Sequence, residues 1–141
     1  MIWNNSKAMK AIDLMQRVMG ASVIRKQVID NNIANVSTPH FKRSRVTFES
    51  ELNRALASES YKPEITAKRS RGKHIAFHIP QDYRQVRVKT QADYATYQNN
   101  NGNNVDIDRE MVDAAKNSMH YLALAQKISQ DFKKLNFVIR G

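Results

Sequence analysis

The sequence predicts a mainly α-helical protein, with one long helix near each end of the chain and a small irregular, β-containing middle segment. Apolar residues recur at steps of three and four over residues 5–32 and again over residues 105–141, as they do on one face of a helix. Only 4 glycines and 3 prolines occur among the 141 residues, which favours long regular segments. The length fits a single domain, so we expect one unit over residues 1–141.

The first predicted helix covers residues 5–32, with Asn5 or Ser6 as its N-cap. Its apolar face is wider than one packing seam requires. The face could therefore have two neighbours, one within the chain and one outside it, or it could lie deeper in its own core. The repeating positions are Ala11, Leu14, Val18, Ala21, Ile24 and Val28.

Residues 33–104 are predicted to hold a turn, a short helix and an irregular or β-containing middle. The first helix should stop near Asn31 and Asn32, because asparagine side chains compete for backbone hydrogen bonds. A short helix is expected over residues 48–58. Strands are expected over 75–79 and 83–90, followed by a polar turn-forming run over 99–104.

The second long helix, within residues 105–141, carries the strongest pattern. Asp106 is a good N-cap, and acidic residues at the start and basic residues at the end match the helix dipole. A seam of about 50 Å, at about 1.5 Å per residue, needs the other terminal helix, other subunits, or both to cover it. The heptad seam consists of Met111, Ala114, Ser118, Tyr121, Ala125, Ile128, Phe132, Leu135 and Ile139.

Composition excludes several classes of function. The chain has no cysteine, which rules out disulfides, thiolate metal sites and a cysteine nucleophile. Against 13 acidic residues stand 23 basic ones, and the net charge of +10 would attract polyanions. Charged residues interrupt residues 1–24, so we expect no cleaved signal peptide, and no run is long and apolar enough to predict a membrane span.

The residues also bear on three other kinds of function: nucleic-acid binding, metal binding and catalysis. The basic run at 68–74 could contact phosphates, which keeps a small basic nucleic-acid-binding protein as the alternative function. His74 and His78 are four residues apart, but no third metal ligand is evident, so we expect no metal. No phosphate-binding loop or nucleophile motif occurs, and we expect neither an enzyme nor a cofactor.

Residues 31–42 read N-N-I-A-N-V-S-T-P-H-F-K. This segment closely resembles the signature of the flagellar rod and hook protein family, N-N-[IL]-A-N-x-x-T-P-G-[YF]-K. His40 stands where that pattern has glycine, so either the turn is strained there or it takes another form. The residues that carry the resemblance, and a candidate assembly motif, are Asn31, Asn32, Ile33, Ala34, Asn35, Thr38, Pro39 and Phe41.

A second stretch, N-N-V-D-I-D-R-E-M over residues 103–111, is similar to the signature of the proximal rod proteins within that family. The resemblance implies export by the flagellar type III system and helical self-assembly into the periplasmic rod, which transmits torque. It also implies that the terminal helices form a coiled-coil-like pair, with an interface through Leu14, Val18, Ala21 and Val28 and the seam of the second helix. The implied partners are copies of the chain, other rod proteins, the rod–membrane-ring adapter and export-gate proteins, with no small-molecule substrate and no nucleic acid.

Overall fold

The structure is a computed structural model, and it describes residues 7–61, 80–96 and 101–140. The predicted mainly α-helical fold is confirmed, with a long helix at each end of the described chain and a small two-stranded sheet in the middle. The elements, in order, are α1 (Lys7–Ala34), β1 (Ser44–Thr47), α2 (Glu49–Ser60), a 3₁₀ turn (Tyr83–Gln85), β2 (Lys89–Ala92) and α3 (Ile107–Arg140).

One compact unit, formed by Met1–Val46 and Val88–Gly141, contains the two long helices. They pack along each other and run in opposite directions, because the end of α1 meets the beginning of α3 through Asn32 and Glu110. Near the other end, Ile12 of α1 and Leu135 of α3 line the same small apolar cavity. The predicted pairing of the terminal helices is therefore present within one chain.

The sequence predicts the beginning of α3 correctly but places the end of α1 too early. The α1 helix continues to Ala34, two residues beyond the expected stop, because the Asn32 side chain turns away from its own backbone to other partners. The α3 helix begins where Asp106 predicts, since the Asp106 Oδ1 accepts hydrogen bonds from the backbone N of Asp108 (3.0 Å) and of Arg109 (3.2 Å). The expected cap of α1 at residues 5–6 lies outside the described residues.

The second compact unit, Thr47–Arg87, contains α2 and the 3₁₀ turn. The expected short helix is present as α2, slightly longer than predicted. The small core of this unit consists of Phe48, Leu52, Ala55, Tyr83 and Val86, all buried.

The strand expected over 83–90 is wrong for its first half. The Asp82 carboxylate accepts a hydrogen bond from the Arg84 backbone N (2.8 Å), which closes a 3₁₀ turn and buries Tyr83. The strand β2 starts only at Lys89, and it pairs with β1, which sequence reasoning did not predict. The strand expected over 75–79, the histidines of that region and the basic run at 68–74 lie outside the described residues.

Candidate functional site

The two signature segments, far apart in sequence, meet directly in the first unit, and Asn103 is the centre of their contact. The Asn103 Nδ2 lies within hydrogen-bonding distance of the carbonyl oxygens of Asn35 (3.0 Å), Val36 (3.0 Å) and Thr38 (2.9 Å). Its Oδ1 accepts from the Val105 backbone N at 2.7 Å, and the residue is 0% exposed. The two N–H groups of this amide can donate to two of the three carbonyls at a time, and they fix the turn after α1 against the approach to α3.

Further hydrogen bonds extend the same junction. The His40 backbone N donates to the Asn101 carbonyl (3.0 Å), and the Lys42 Nζ donates to the Gly102 carbonyl (2.8 Å). The next asparagine, Asn104, accepts from the Arg43 backbone N at 2.6 Å. The loop before α3 and the segment after the turn are therefore joined by hydrogen bonds of both backbone and side chains.

The conformation of the turn explains why the family pattern has glycine at the position of His40. The Phe41 backbone N donates to the Thr38 carbonyl (3.4 Å), Pro39 holds the second position, and His40 has φ +60°. Proline second and a positive φ third is the arrangement of a type II turn, whose third position favours glycine. The turn keeps this form with histidine present, and the strain expected at His40 is found there.

A buried charged cluster joins this junction to α3. The Arg43 Nε donates to Glu110 Oε1, and the Arg43 Nη2 donates to Asp113 Oδ2 at 2.9 Å. The other oxygen of Glu110 accepts from Asn32 Nδ2 at 3.0 Å. Because Glu110 is 0% exposed and Arg43 is also buried, each charge depends on the other for its stabilisation.

Asn32 links the cluster to the sheet. Its Nδ2 donates to the Ser44 carbonyl (2.9 Å) and its Oδ1 accepts from the Ser44 backbone N (3.0 Å). Asn32 therefore satisfies both backbone groups of the first residue of β1, and at the same time it contacts the Glu110 carboxylate. The signature asparagine acts as a bridge between α1, β1 and α3.

Asp93, just after β2, is the residue with a displaced pKa in this region. Its carboxylate accepts from the Ala95 backbone N (3.0 Å) and from the Thr96 Oγ1 (3.0 Å), and the Arg45 guanidinium lies 3.7 Å away. These hydrogen bonds, that of Ala95 first, hold the pKa of Asp93 below its usual value, with a smaller contribution from Arg45. The same residue binds the junction by its backbone, since its N donates to the Arg43 carbonyl at 2.8 Å.

Comparison with known proteins identifies the family. The chain is 36% identical over 131 residues to the flagellar basal body rod protein FlgB of Borreliella burgdorferi, covering 93% of this chain and 96% of the relative. It is 38% identical over 130 residues to that of Borrelia hermsii (92% and 96%) and 32% identical over 137 residues to that of Bacillus subtilis (92% and 93%). The chain belongs to the FlgB family of flagellar basal body rod proteins. No family model matches it.

The proposed assembly motif of this FlgB-family chain is partly buried and partly on the surface. Asn35 stabilises the end of α1 through its Nδ2, which donates to the carbonyl (2.9 Å) and the Oδ1 (2.7 Å) of Asn31. Asn32 is buried, Ile33, Asn35 and Phe41 are half-buried, and Asn31, Ala34, Thr38 and Pro39 are exposed. The structure brings these residues together around one turn, and their part in contacts between subunits stays a prediction.

The seam residues of the FlgB-family helices divide into two groups. On α1, Ala21 is buried, and Leu14, Val18 and Val28 are half-buried. On α3, Tyr121, Ala125, Ile128 and Leu135 are half-buried, whereas Met111, Phe132 and Ile139 are exposed. The α3 face with the least exposure instead runs through Glu110, Ala114, Asn117, Tyr121, Leu124, Ile128, Asp131 and Leu135.

This face differs from the apolar seam by one residue at alternate turns, and polar side chains are the reason. Glu110 is held by the buried cluster, and the Asn117 Nδ2 donates to the Ser22 carbonyl of α1 at 2.9 Å. A search for apolar periodicity cannot find positions that hydrogen bonds bury. Arg43 and Asn117 were missed for this reason, and only their position beside signature or seam residues could have drawn attention to them.

Two negative findings concern the part of the chain that the structure describes. Its His, Asp and Glu side chains form no group of three or more that could hold a metal ion. None of the helices in residues 7–61, 80–96 and 101–140 combines the length and apolarity that crossing a membrane requires.

Proposed function

We propose that this chain is a structural subunit of the proximal rod of the bacterial flagellar basal body. In this role it is exported by the flagellar type III system without a cleaved signal peptide, assembles helically in the periplasm and transmits torque. It works through contacts with other proteins and catalyses no reaction. The family relationship, which extends over more than nine-tenths of the chain and of the three relatives compared, supports this role.

The observation that carries the proposal is the exposure of large apolar side chains along α3. Met111, Leu122 and Phe137 are 59%, 60% and 76% exposed, and Val138 and Ile139 are similarly open. Exposed apolar surface of this kind is typical of sites that bind other proteins. A subunit that is buried among neighbours on assembly accounts for it.

The polar contacts between the two long helices suit a subunit that transmits torque. Contacts through Asn32, Arg43, Asn103 and Asn117 connect α1 and the turn to α3 and the loop before it, and all four residues are buried. These contacts resist sliding of one helix along the other, because several hydrogen bonds would have to break together. The proposed partners are copies of the chain, other rod proteins, the rod–membrane-ring adapter and export-gate proteins.

The test uses Phe132→Asp in a strain that lacks the chromosomal copy of the gene. Phe132 is 45% exposed in the single chain, so we expect the variant to fold, whereas a charge left unpaired in a helix–helix interface costs several kcal/mol. We expect loss of swimming and of intact basal bodies. The matched control is His120→Asp, which adds the same charge at another exposed position of α3.

The alternative function predicts the opposite order of effects. Neutralising Arg69, Arg71 and Lys73 together would then remove salt-dependent binding to DNA, while Phe132→Asp would leave that binding intact. A fully motile Phe132→Asp strain with normal basal bodies would refute the assembly role.

A further inference from the structure

The side of α3 that faces away from α1 is apolar over about three turns. Val112, Ala115, Met119 and Leu122 recur at steps of three and four, opposite the packed residues Glu110 and Asn117. Val112, Met119 and Leu122 are 51%, 63% and 60% exposed. Between Asp108 and Lys133 this outer α3 face carries no charged residue.

The outward side of α1 is also uncharged, although it is more polar. Gln16, Gly20, Val23 and Gln27 fall at steps of four, three and four, all exposed, and no charge lies on this outer α1 face between Asp13 and Asp30. The charges at its two ends are already neutralised within α1. Asp13 pairs with Arg17 at 3.2 Å, and Asp30 pairs with Lys26 at 2.7 Å.

At Gly20 the outer α1 face has no side chain, so the helix backbone is uncovered there. Glycine is among the poorest residues for the interior of a helix, because it loses the most backbone freedom on folding. Among the residues that the structure describes nothing requires it, since a Cβ built at Gly20 would meet none of their atoms within 4 Å. A glycine that is unfavourable for the helix and that the described residues do not need is explained by a second helix that approaches the backbone closely from outside.

The charge of the chain indicates which partner that helix belongs to. A chain with a net charge of +10 would bind an acidic partner through its basic surface. The two outer faces are uncharged, and two like-charged copies can approach most easily through uncharged surfaces. Exposed apolar side chains on successive turns of one helix face, such as Val112, Met119 and Leu122, are typical of contact sites between proteins. In one contact each copy contributes only one of the two faces, so the contact is smaller than the ~800 Å² that a standard interface takes from one partner, and it depends on repetition from copy to copy.

We propose that the outer α3 face of one copy packs against the outer α1 face of a second copy of this chain, with the closest approach at Gly20. This contact rests on the proposed assembly role and specifies it. The two faces are different and lie on opposite sides of the helix pair, so the contact is heterologous. Repeated from copy to copy, it adds subunits without closing into a two-fold dimer.

Cross-linking tests the contact directly, because the chain has no cysteine of its own. Val23→Cys is co-expressed in motile cells with a second copy that carries Val112→Cys, Ala115→Cys, Met119→Cys or Leu122→Cys in turn, and the cells are treated with a mild oxidant. We expect a disulfide-linked pair for at least one combination, and a ladder of higher species when both cysteines are in one chain. Each single-cysteine variant expressed alone should give no disulfide-linked pair.

Two controls place cysteine beside the faces rather than on them. His120→Cys lies next to Met119 on a different side of α3, and Lys26→Cys is similarly displaced on α1, so neither should cross-link. A second arm needs no cysteine. Gly20→Leu should leave the thermal stability of the isolated subunit unchanged or higher but abolish swimming, whereas Gly20→Ala should have a smaller effect.

Several outcomes would overturn the proposed contact. They are motile cells that give no cross-link in any of the four combinations, single-cysteine variants that cross-link with themselves, or a Gly20→Leu strain that swims with normal basal bodies. If Phe132→Asp still abolishes assembly in that case, the rod function stands and only this contact is wrong. If Phe132→Asp also swims, the rod function itself has failed.

Discussion

Glu110→Gln isolates the contribution of the buried charge that connects the signature turn to α3. The substitution keeps the size of the side chain, but a neutral amide offers one acceptor and one donor in place of two acceptors. Both neighbours of the carboxylate, Arg43 Nε and Asn32 Nδ2, are donors, so one hydrogen bond is lost whichever way the amide turns. Arg43 is then left buried with Asp113 as its only carboxylate partner.

The expected cost follows from burial. Removing one partner of a buried ion pair costs about 3–5 kcal/mol, because the remaining charge stays desolvated. For a chain of this size each kcal/mol corresponds to roughly 3 °C, so the melting temperature should fall by about 10 °C. The matched control is Asp113→Asn, whose side chain is 37% exposed and whose loss should cost about 1 kcal/mol or less.

The assay is thermal unfolding of the purified chain, followed by circular dichroism at neutral pH. The double variant Arg43→Met/Glu110→Met provides a second comparison, since replacing both charges with apolar side chains is often neutral or stabilising. It should recover most of the loss seen in Glu110→Gln. Equal melting temperatures for Glu110→Gln and Asp113→Asn would show that the buried position of Glu110 does not matter and would refute the reasoning.

Three further predictions concern the same unit. Gly102→Ala should destabilise the chain by about 1–3 kcal/mol in thermal unfolding, because Gly102 has φ +77° and a Cβ there would lie 2.8 Å from the His40 Nδ1. The lowered pKa of Asp93 gives stability that is complete above its unfolded pKa of about 3.9 and is lost as the pH falls through the folded value. The stability deficit of Asp93→Asn relative to the natural chain, measured by urea unfolding, should therefore shrink as the pH falls below 4. Amide exchange should be slowest around Asn117, where side chains connect α3 to α1, and faster beyond Asp131, and uniform protection along α3 would contradict this.

Much of the fold could be predicted because its signals are local. Periodicity marked both long helices, and the helix-capping chemistry of Asp106 marked the beginning of α3. These local signals did not predict the secondary structure where a single side chain determines the backbone conformation. Asp82 closed a 3₁₀ turn inside an alternating segment, and β1 was too short and too polar for a pattern to reveal it.

The candidate site could be predicted in part. The two signature segments were recognisable, yet nothing in either one indicated that Asn103 would bind the carbonyls of the turn around residues 35–38. These contacts join residues more than 60 positions apart, and one sequence carries no record of such distances. The positive φ of His40 was anticipated only because the family pattern has glycine there.

The sequence by itself determined that this chain has two long amphipathic helices, an N-cap at Asp106 and a proline-containing turn after α1, since each depends on residues that are neighbours along the chain. Only the tertiary structure decided which side of α3 faces α1. The apolar pattern favoured a seam through Met111 and Phe132, but buried hydrogen bonds at Glu110 and Asn117 turned the packed face toward themselves. An unpaired buried charge or amide costs more than an exposed methionine or phenylalanine does, so the polar partners fixed the register and left apolar side chains outside.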